Sequence, residues 1–162
     1  MYTCGILTIS DKGARGERQD TSGQNLKTIM ASQGFAVKCY DIVPDVGRTI
    51  EKTLIKWIDK LQVDLVITTG GTGVAPTDVT PEATRRIIER EIPGIAEAMR
   101  LASLQKTPNA ILSRGIAGIR KESLIINLPG SKKAAAENIE VILAALPHAL
   151  DKIKGNPAEC GG

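Results

Sequence analysis

Apolar and polar positions along this chain alternate between a period of two and a period near 3.6, and each change of period marks an element. Tyr2 to Ser10 reads as a first strand, because Ile6, Leu7, Thr8 and Ile9 form a β-rich run that stops at Ser10-Asp11. Asp11 to Asp20 holds two glycines and six charged side chains and predicts a solvated loop. Leu26, Ile29 and Met30 then recur at helical spacing, predicting a helix from about Thr21 or Ser22 to Ser32, with Gly34 as its stop. A second strand, Phe35 to Val43, ends at Pro44-Asp45. Leu54, Trp57, Ile58 and Leu61 continue a helical pattern that begins at Gly47 and leads to a third strand, Val63 to Thr69.

The second half repeats the theme. Thr80 as N-cap and Pro81 at the first helical position open a helix to about Glu91, broken at Ile92-Pro93-Gly94 and resumed to about Gln105. Extended structure is expected from Ala110 to Leu112. Gly115 to Ile119 and Ser123 to Leu128 flank Arg120-Lys121-Glu122 as an antiparallel hairpin, or as one strand beside a buried one. Pro129-Gly130-Ser131 turns the chain into a helix to about Ala145, and Pro147 to Lys154 forms the last helix, with a disordered tail expected over 156–162. This alternation predicts an α/β fold in three layers: a mostly parallel central sheet, helices on both faces and a short antiparallel segment, in a single domain over residues 1–155.

Composition narrows the function classes. Hydrophobic residues make up 42% and charged residues 24% of the 162, the balance of an ordinary globular protein. Aromatics are only 2%, so the core is aliphatic and stacking platforms for nucleic acid are largely missing. A net charge of +3 with no block of like charges tilts the chain toward anionic ligands and argues against nucleic acid as a partner. Cys4, Cys39 and Cys160 lie far apart, no CxxC occurs, and His148 is the single histidine, so a zinc site is not expected. The lack of a signal-peptide pattern or a long apolar run predicts a cytoplasmic protein with no membrane association.

The chemistry concentrates at the predicted strand ends, where open parallel sheets bind ligands. Thr69-Gly70-Gly71-Thr72-Gly73 follows a buried strand at once, and its glycines let a ligand approach the main chain. Asp78 comes seven residues after Gly71, just before a helix start, so the stretch reads as an anion site. It is neither a Walker A loop nor a dinucleotide fingerprint, since no Lys-Ser or Lys-Thr follows and Pro76 stands where GxGxxG needs its last glycine. Ser10, Asp45, Asn127, Pro129 and Gly130 share the same rim. Asp45 and Asp78 are expected to reach one ligand if their strands are adjacent. Other roles stay open: Asp45 as a cap of the Gly47 helix, Ser113 and Asn127 as structural polar groups, Lys12, Arg15 and Arg18 as solvated loop charges, Arg114 and Arg120 as surface charges or phosphate contacts. His148 reads as surface or packing and Trp57 as core.

Taken together, VITTGGTGVAPTDVTPEAT from Val66 to Thr84, LSRGIAG from Leu112 to Gly118 and IINLPGS from Ile125 to Ser131 resemble the molybdopterin adenylyltransferase family. This is the Mog/MoaB group of molybdenum-cofactor biosynthesis, related to the G domain of gephyrin, and the resemblance spans roughly Gly5 to Gly155. It implies transfer of an adenylyl group from ATP to molybdopterin, with Mg²⁺ or another divalent cation, in a homotrimer that hands its product to a molybdenum-insertion protein. It places catalytic acids on Asp45 and Asp78, and substrate or nucleotide contacts on Thr69 to Gly73, Ser113 and Asn127. Thr77 departs from the pattern, which often has a basic residue there. A carboxylate repels phosphate unless it holds a cation, so Asp78 as a Mg²⁺ ligand fits that chemistry. A molybdopterin carrier without transfer activity and an unrelated nucleotide-binding enzyme such as a methyltransferase are the alternatives.

Overall fold

The structure is a computed structural model and describes residues 1–157. Strand β1 (Thr3–Ile9) is an inner strand of a six-stranded sheet, where its alternate side chains serve two cores. A short helix α1 (Asp11–Ala14) follows, then α2 (Thr21–Ser32), β2 (Ala36–Val43), α3 (Gly47–Ile55), β3 (Leu65–Thr69) and α4 (Thr80–Ile87). The chain continues through β4 (Arg90–Glu91), α5 (Pro93–Leu104), a 3₁₀ turn (Pro108–Leu112), the hairpin β5 (Ala117–Arg120) and β6 (Ser123–Leu128), α6 (Lys132–Ile142) and α7 (Leu146–Ile153).

The sheet order is β2-β1-β3-β6-β5-β4. The first four are mutually parallel, and β5 and β4 run antiparallel at the edge, as the mostly parallel three-layer reading requires. Ile6, Ile67, Ile126 and Leu128 meet Leu26 and Met30 of α2, Met99 of α5, Ala135 and Ile139 of α6 and Leu150 of α7 on one face. Leu7, Ile9, Val66 and Ile125 meet Ile50 and Leu54 of α3 and Ala83 and Ile87 of α4 on the other. Trp57 is buried there, as expected, on a π-helical turn (Lys56–Lys60) that extends α3.

Several expected boundaries move. Part of the Asp11 to Asp20 loop is helical, because the Ser10 hydroxyl accepts from Gly13 N at 3.0 Å and caps α1. The helix expected to reach Glu91 stops at Ile87, since Arg90 and Glu91 pair with β5 instead. Thr80 does not cap it: Val79 holds the N-cap position, while the Thr80 hydroxyl donates to Gly70 O at 2.9 Å. Ala110 to Leu112 lies in the 3₁₀ turn, started by Thr107 capping Asn109 N and by Pro108. The two alternatives for Gly115 to Leu128 resolve as a hairpin, with Lys121 at φ 52° in the two-residue turn. Of the expected tail, residues 158–162 lie outside the described residues, while Asn156 N bonds to Asp151 O at the end of α7.

At the amino end of the sheet, Asp64 accepts from Thr3 N at 2.7 Å and from the Thr3 hydroxyl at 2.8 Å, and pairs with Lys154 beyond α7. Burial pushes the Asp64 carboxyl up, but the Lys154 ammonium and the two Thr3 bonds outweigh it and hold it below the ordinary value. A carboxylate depressed in the folded state stabilises above its unfolded value of about 3.9, and that stability is lost as pH falls through the depressed value. Asp64→Asn is therefore expected to lower the urea midpoint at neutral pH and to flatten its fall below about pH 4, measured by urea titrations across the acid range.

Candidate active site

Because β1, β2, β3 and β6 are parallel, their carboxyl ends gather on one edge, where a cleft of about 730 Å³ opens. The chain enters the sheet at β1 and places β2 on one side and β3 on the other, so the cleft sits at the reversal of strand order. Its floor is the turn after β3. Gly70 has φ +104° and Gly71 φ +67°, a region that favours glycine. A Cβ on Gly70 would strike the Ile9 carbonyl, and one on Gly130 would lie 3.3 Å from the Gly70 Cα. Three strand ends thus meet with no side chains between them. Thr69 Oγ1 donates to Pro129 O at 2.6 Å, and Gly70 N to Leu128 O at 3.1 Å, closing the junction.

The next glycines make room for acids. A Cβ on Gly71 would lie 3.2 Å from Asp45 Oδ1, and one on Gly73 would lie 2.8 Å from Asp78 Oδ2. Asp45 does not cap α3, since Val46 holds that position; its Oδ2 accepts from Asp11 N at 3.0 Å while its own amide donates to Asp11 Oδ1 at 2.9 Å. Asp78 Oδ2 accepts from Ala75 N at 2.9 Å, fixing the turn 75–78. The condition of adjacent strands for Asp45 and Asp78 is not met, because β1 separates β2 from β3. They still line one cleft, since the Gly71 backbone bridges the gap. Burial pushes the Asp45 carboxyl up, the Asp11 amide opposes this, and the Asp11 and Asp78 charges push it further up.

Ser10, Asp45, Thr69, Gly70, Gly71, Asp78 and Gly130 line the cleft together. Thr72, Gly73, Ser113, Asn127 and Pro129 do not. Asn127 is 1% exposed: its amide donates to Thr68 Oγ1 and Thr84 Oγ1, both at 3.0 Å, and its Oδ1 accepts from Ile116 N at 3.2 Å. The carbonyl of Ser113 accepts from Arg100, and that of Pro129 from Thr69, so both support the rim from behind. Arg15 pairs with Glu17 and Arg120 with Asp59, while His148 is exposed on α7.

Two groups that local sequence reading undervalued shape the site. Arg114 N donates to Thr72 O at 2.8 Å, and its guanidinium reaches Gly73 O and Asp78 O, both at 2.7 Å, and pairs with Glu82. Arg114 therefore fixes the loop from outside the cleft, holding Thr72 through its amide and Gly73, Asp78 and Glu82 through its guanidinium. Asp20 caps α2 through Gly23 N at 2.8 Å and accepts from Thr8 Oγ1 and the Tyr40 hydroxyl, both at 2.6 Å, which sets Ser22 beside Thr69 at 2.9 Å. The Asp20-Thr21-Ser22-Gly23 run after a charged loop is a capping signal that could have marked this wall. Among the described residues no group of three His, Cys, Asp or Glu could hold a metal by itself, and no helix is long and apolar enough to cross a membrane.

The chain matches the family described as "Probable molybdopterin binding domain" over residues 5–148. It is 46% identical to a molybdopterin adenylyltransferase of Helicobacter pylori, over 94% of this chain and 88% of that one. Its fold is similar to that of the molybdopterin biosynthesis enzyme MoaB from Thermus thermophilus, with a TM-score of 0.91 at 53% identity, covering 98% of this chain and all of that one. The molybdopterin biosynthesis Mog protein of Mycobacterium ulcerans is similar too, with a TM-score of 0.89 at 37% identity over 94% of this chain and 99% of that one.

Asn127→Ala is expected to lower the urea midpoint with an unchanged slope, costing about 1–3 kcal/mol, because it strands the Ile116 amide and two buried hydroxyls.

Proposed function

The chain belongs to the molybdopterin-binding domain family, and we propose that its cleft joins ATP and molybdopterin to give adenylyl-molybdopterin and pyrophosphate. The observation that carries this reading is the single cleft in which a bare glycine backbone and two separately held carboxylates face a volume of about 730 Å³. That volume is ample for parts of two substrates, in the range where small-molecule sites occur. In the reaction a phosphate oxygen of molybdopterin attacks the α-phosphorus of ATP. The bond to the bridging oxygen breaks, and pyrophosphate leaves with its electron pair. Such a transfer asks the protein for position and charge compensation more than for covalent chemistry.

Asp45 and Asp78 fit a divalent cation such as Mg²⁺. They are close enough for the Asp78 charge to push Asp45 up, and two carboxylates with phosphate oxygens and water suit that ion better than an all-protein cage does. When bound, the ion supplies neutralisation of polyphosphate charge. The chain's own contribution is to hold the two acids, Asp45 through Asp11 and Asp78 through the turn 75–78, against Gly71 and Gly73. The half-buried cleft floor keeps the reacting phosphates near fixed backbone dipoles.

Self-association as a homotrimer belongs to the same proposal. Leu101 and Leu104 of α5 and Ile111 and Leu112 of the following turn are exposed, leucines and isoleucines that a partner surface would cover. A mass of three chains in sedimentation is expected, and a mass of one chain would refute the trimer.

For the reaction, purified protein incubated with molybdopterin and ATP labelled at the α-phosphate is expected to transfer label to the pterin. Asp78→Asn should fold and bind the pterin but lose about 100-fold or more of that transfer. Tight pterin binding by the wild-type protein without label would make it a carrier.

A further inference from the structure

The cleft carries charge of both signs, and its cations lie on one face of the sheet: Asp45 and Asp78 belong to the other, while Asp20, the remaining acid of the lining, caps α2 and accepts from Gly23 N and from the Thr8 and Tyr40 hydroxyls. Asp45 and Asp78 sit on the turns after β2 and β3, which lead into α3 and α4 on one face. Arg18 precedes α2, and Lys132 is the first residue of α6; these two helices cover the other face and share its core through Leu26, Met30, Ala135 and Ile139. Among the described residues, Arg18 and Lys132 are the only cations that line the cleft. Among the described residues neither side chain has a hydrogen bond or an ion pair. Arg15 holds Glu17, Arg114 holds Glu82 and Arg86 holds Glu51, and Lys12, Arg48 and Lys133 do not line the cleft.

Two anionic substrates must enter this cleft, and they differ in how their charge is met. The polyphosphate of ATP arrives with a divalent cation, which the Asp45 and Asp78 side can accept. The pterin's terminal phosphate is a monoester with no such escort. It would be repelled by two uncompensated carboxylates and attracted by an unpaired guanidinium and ammonium. We propose that Arg18 and Lys132, on the α2/α6 lip, are the seat of molybdopterin's phosphate, so that the cleft assigns its two substrates by charge. The assignment rests on the adenylyl-transfer reading and adds its substrate-sorting residues. Binding the pterin phosphate on the α2/α6 side and the polyphosphate on the α3/α4 side puts nucleophile and leaving group on opposite sides of the α-phosphorus, as an in-line displacement needs.

The test compares full-length wild type with Arg18→Gln, Lys132→Gln and the double variant, measuring binding at equilibrium and not turnover. Probes are molybdopterin, its dephosphorylated form and ATP with Mg²⁺. The expected result is a loss of about tenfold or more in molybdopterin affinity per substitution, the size of one charge-assisted hydrogen bond. Dephosphorylated pterin and ATP should bind all four proteins equally, and the wild-type preference for the phosphorylated pterin should weaken steeply with salt. Equal losses for both pterin forms would make the residues structural and overturn the seat. A loss confined to ATP would reassign the two cations to the polyphosphate and also overturn it. Unchanged binding of every probe would do the same while leaving the adenylyl-transfer reading standing. Wild-type protein that binds neither molybdopterin nor ATP would instead remove the proposed function, and this inference with it.

Discussion

The meeting of three strand ends without side chains is the constraint on which the rest of this edge depends. Gly70 presses against the Ile9 carbonyl on one side and Gly130 on the other, in a backbone conformation that favours glycine. The gap is then closed by hydroxyls of short reach: Thr69 donates to Pro129 O, and Thr80 to Gly70 O. Thr69 has a single proton and spends it on Pro129, so the 2.9 Å contact with Ser22 must be donated by Ser22. The hydroxyls therefore run in one direction from the start of α2 through β3 to the end of β6. Loops from β1, β3 and β6 are coupled by this short chain, which gives the cleft a floor of defined shape before any ligand arrives.

How much of this was legible in the sequence follows the range of the interactions. The buried strand Leu65 to Thr69 and the helix stripe of Leu26, Ile29 and Met30 are periodic patterns, so the α/β alternation could be read directly. The glycine run announced a backbone-lined site because glycine's freedom is a property of one residue. Thr80 was misread because Thr before Pro is a strong cap signal, and its actual partner, Gly70 O, lies ten residues back across a turn. The two-residue strand at Arg90 and Glu91 has no period to detect and exists only because β5 presents a free edge.

The polar residues at the rim show the same limit more sharply. Asn127 and Thr69 both end buried strands and look alike in sequence. Yet the side chain of Asn127 turns into the α4 side and is consumed by Thr68, Thr84 and Ile116, while Thr69 turns to the cleft. Strand alternation separates them, but only once the faces of β3 and β6 are known. Arg114 is the reverse case: a basic residue that reads as a surface charge or phosphate contact proves to be a clamp on four partners between Thr72 and Glu82. Its fork geometry allows several carbonyls and a carboxylate to be held at once, which a lysine at that position could not do.

The placement of Asp45 and Asp78 runs against stability. Burial already disfavours a charged Asp45, and the neighbouring Asp11 and Asp78 carboxylates disfavour it further, while the Asp11 amide offsets only part of this. A fold shaped for stability alone would place a neutral group there, since half-buried like charges cost stability. The surrounding structure over-determines the position: the reciprocal Asp45–Asp11 bonds fix one acid, the turn 75–78 and the Arg114 clamp fix the other, and glycines clear the space between. The proposed divalent cation, held by both acids, would offset that repulsion. On the proposed reading, the unfavourable electrostatics of the cleft and its fitness for a cation-escorted phosphate are one feature, and removing the first would remove the second.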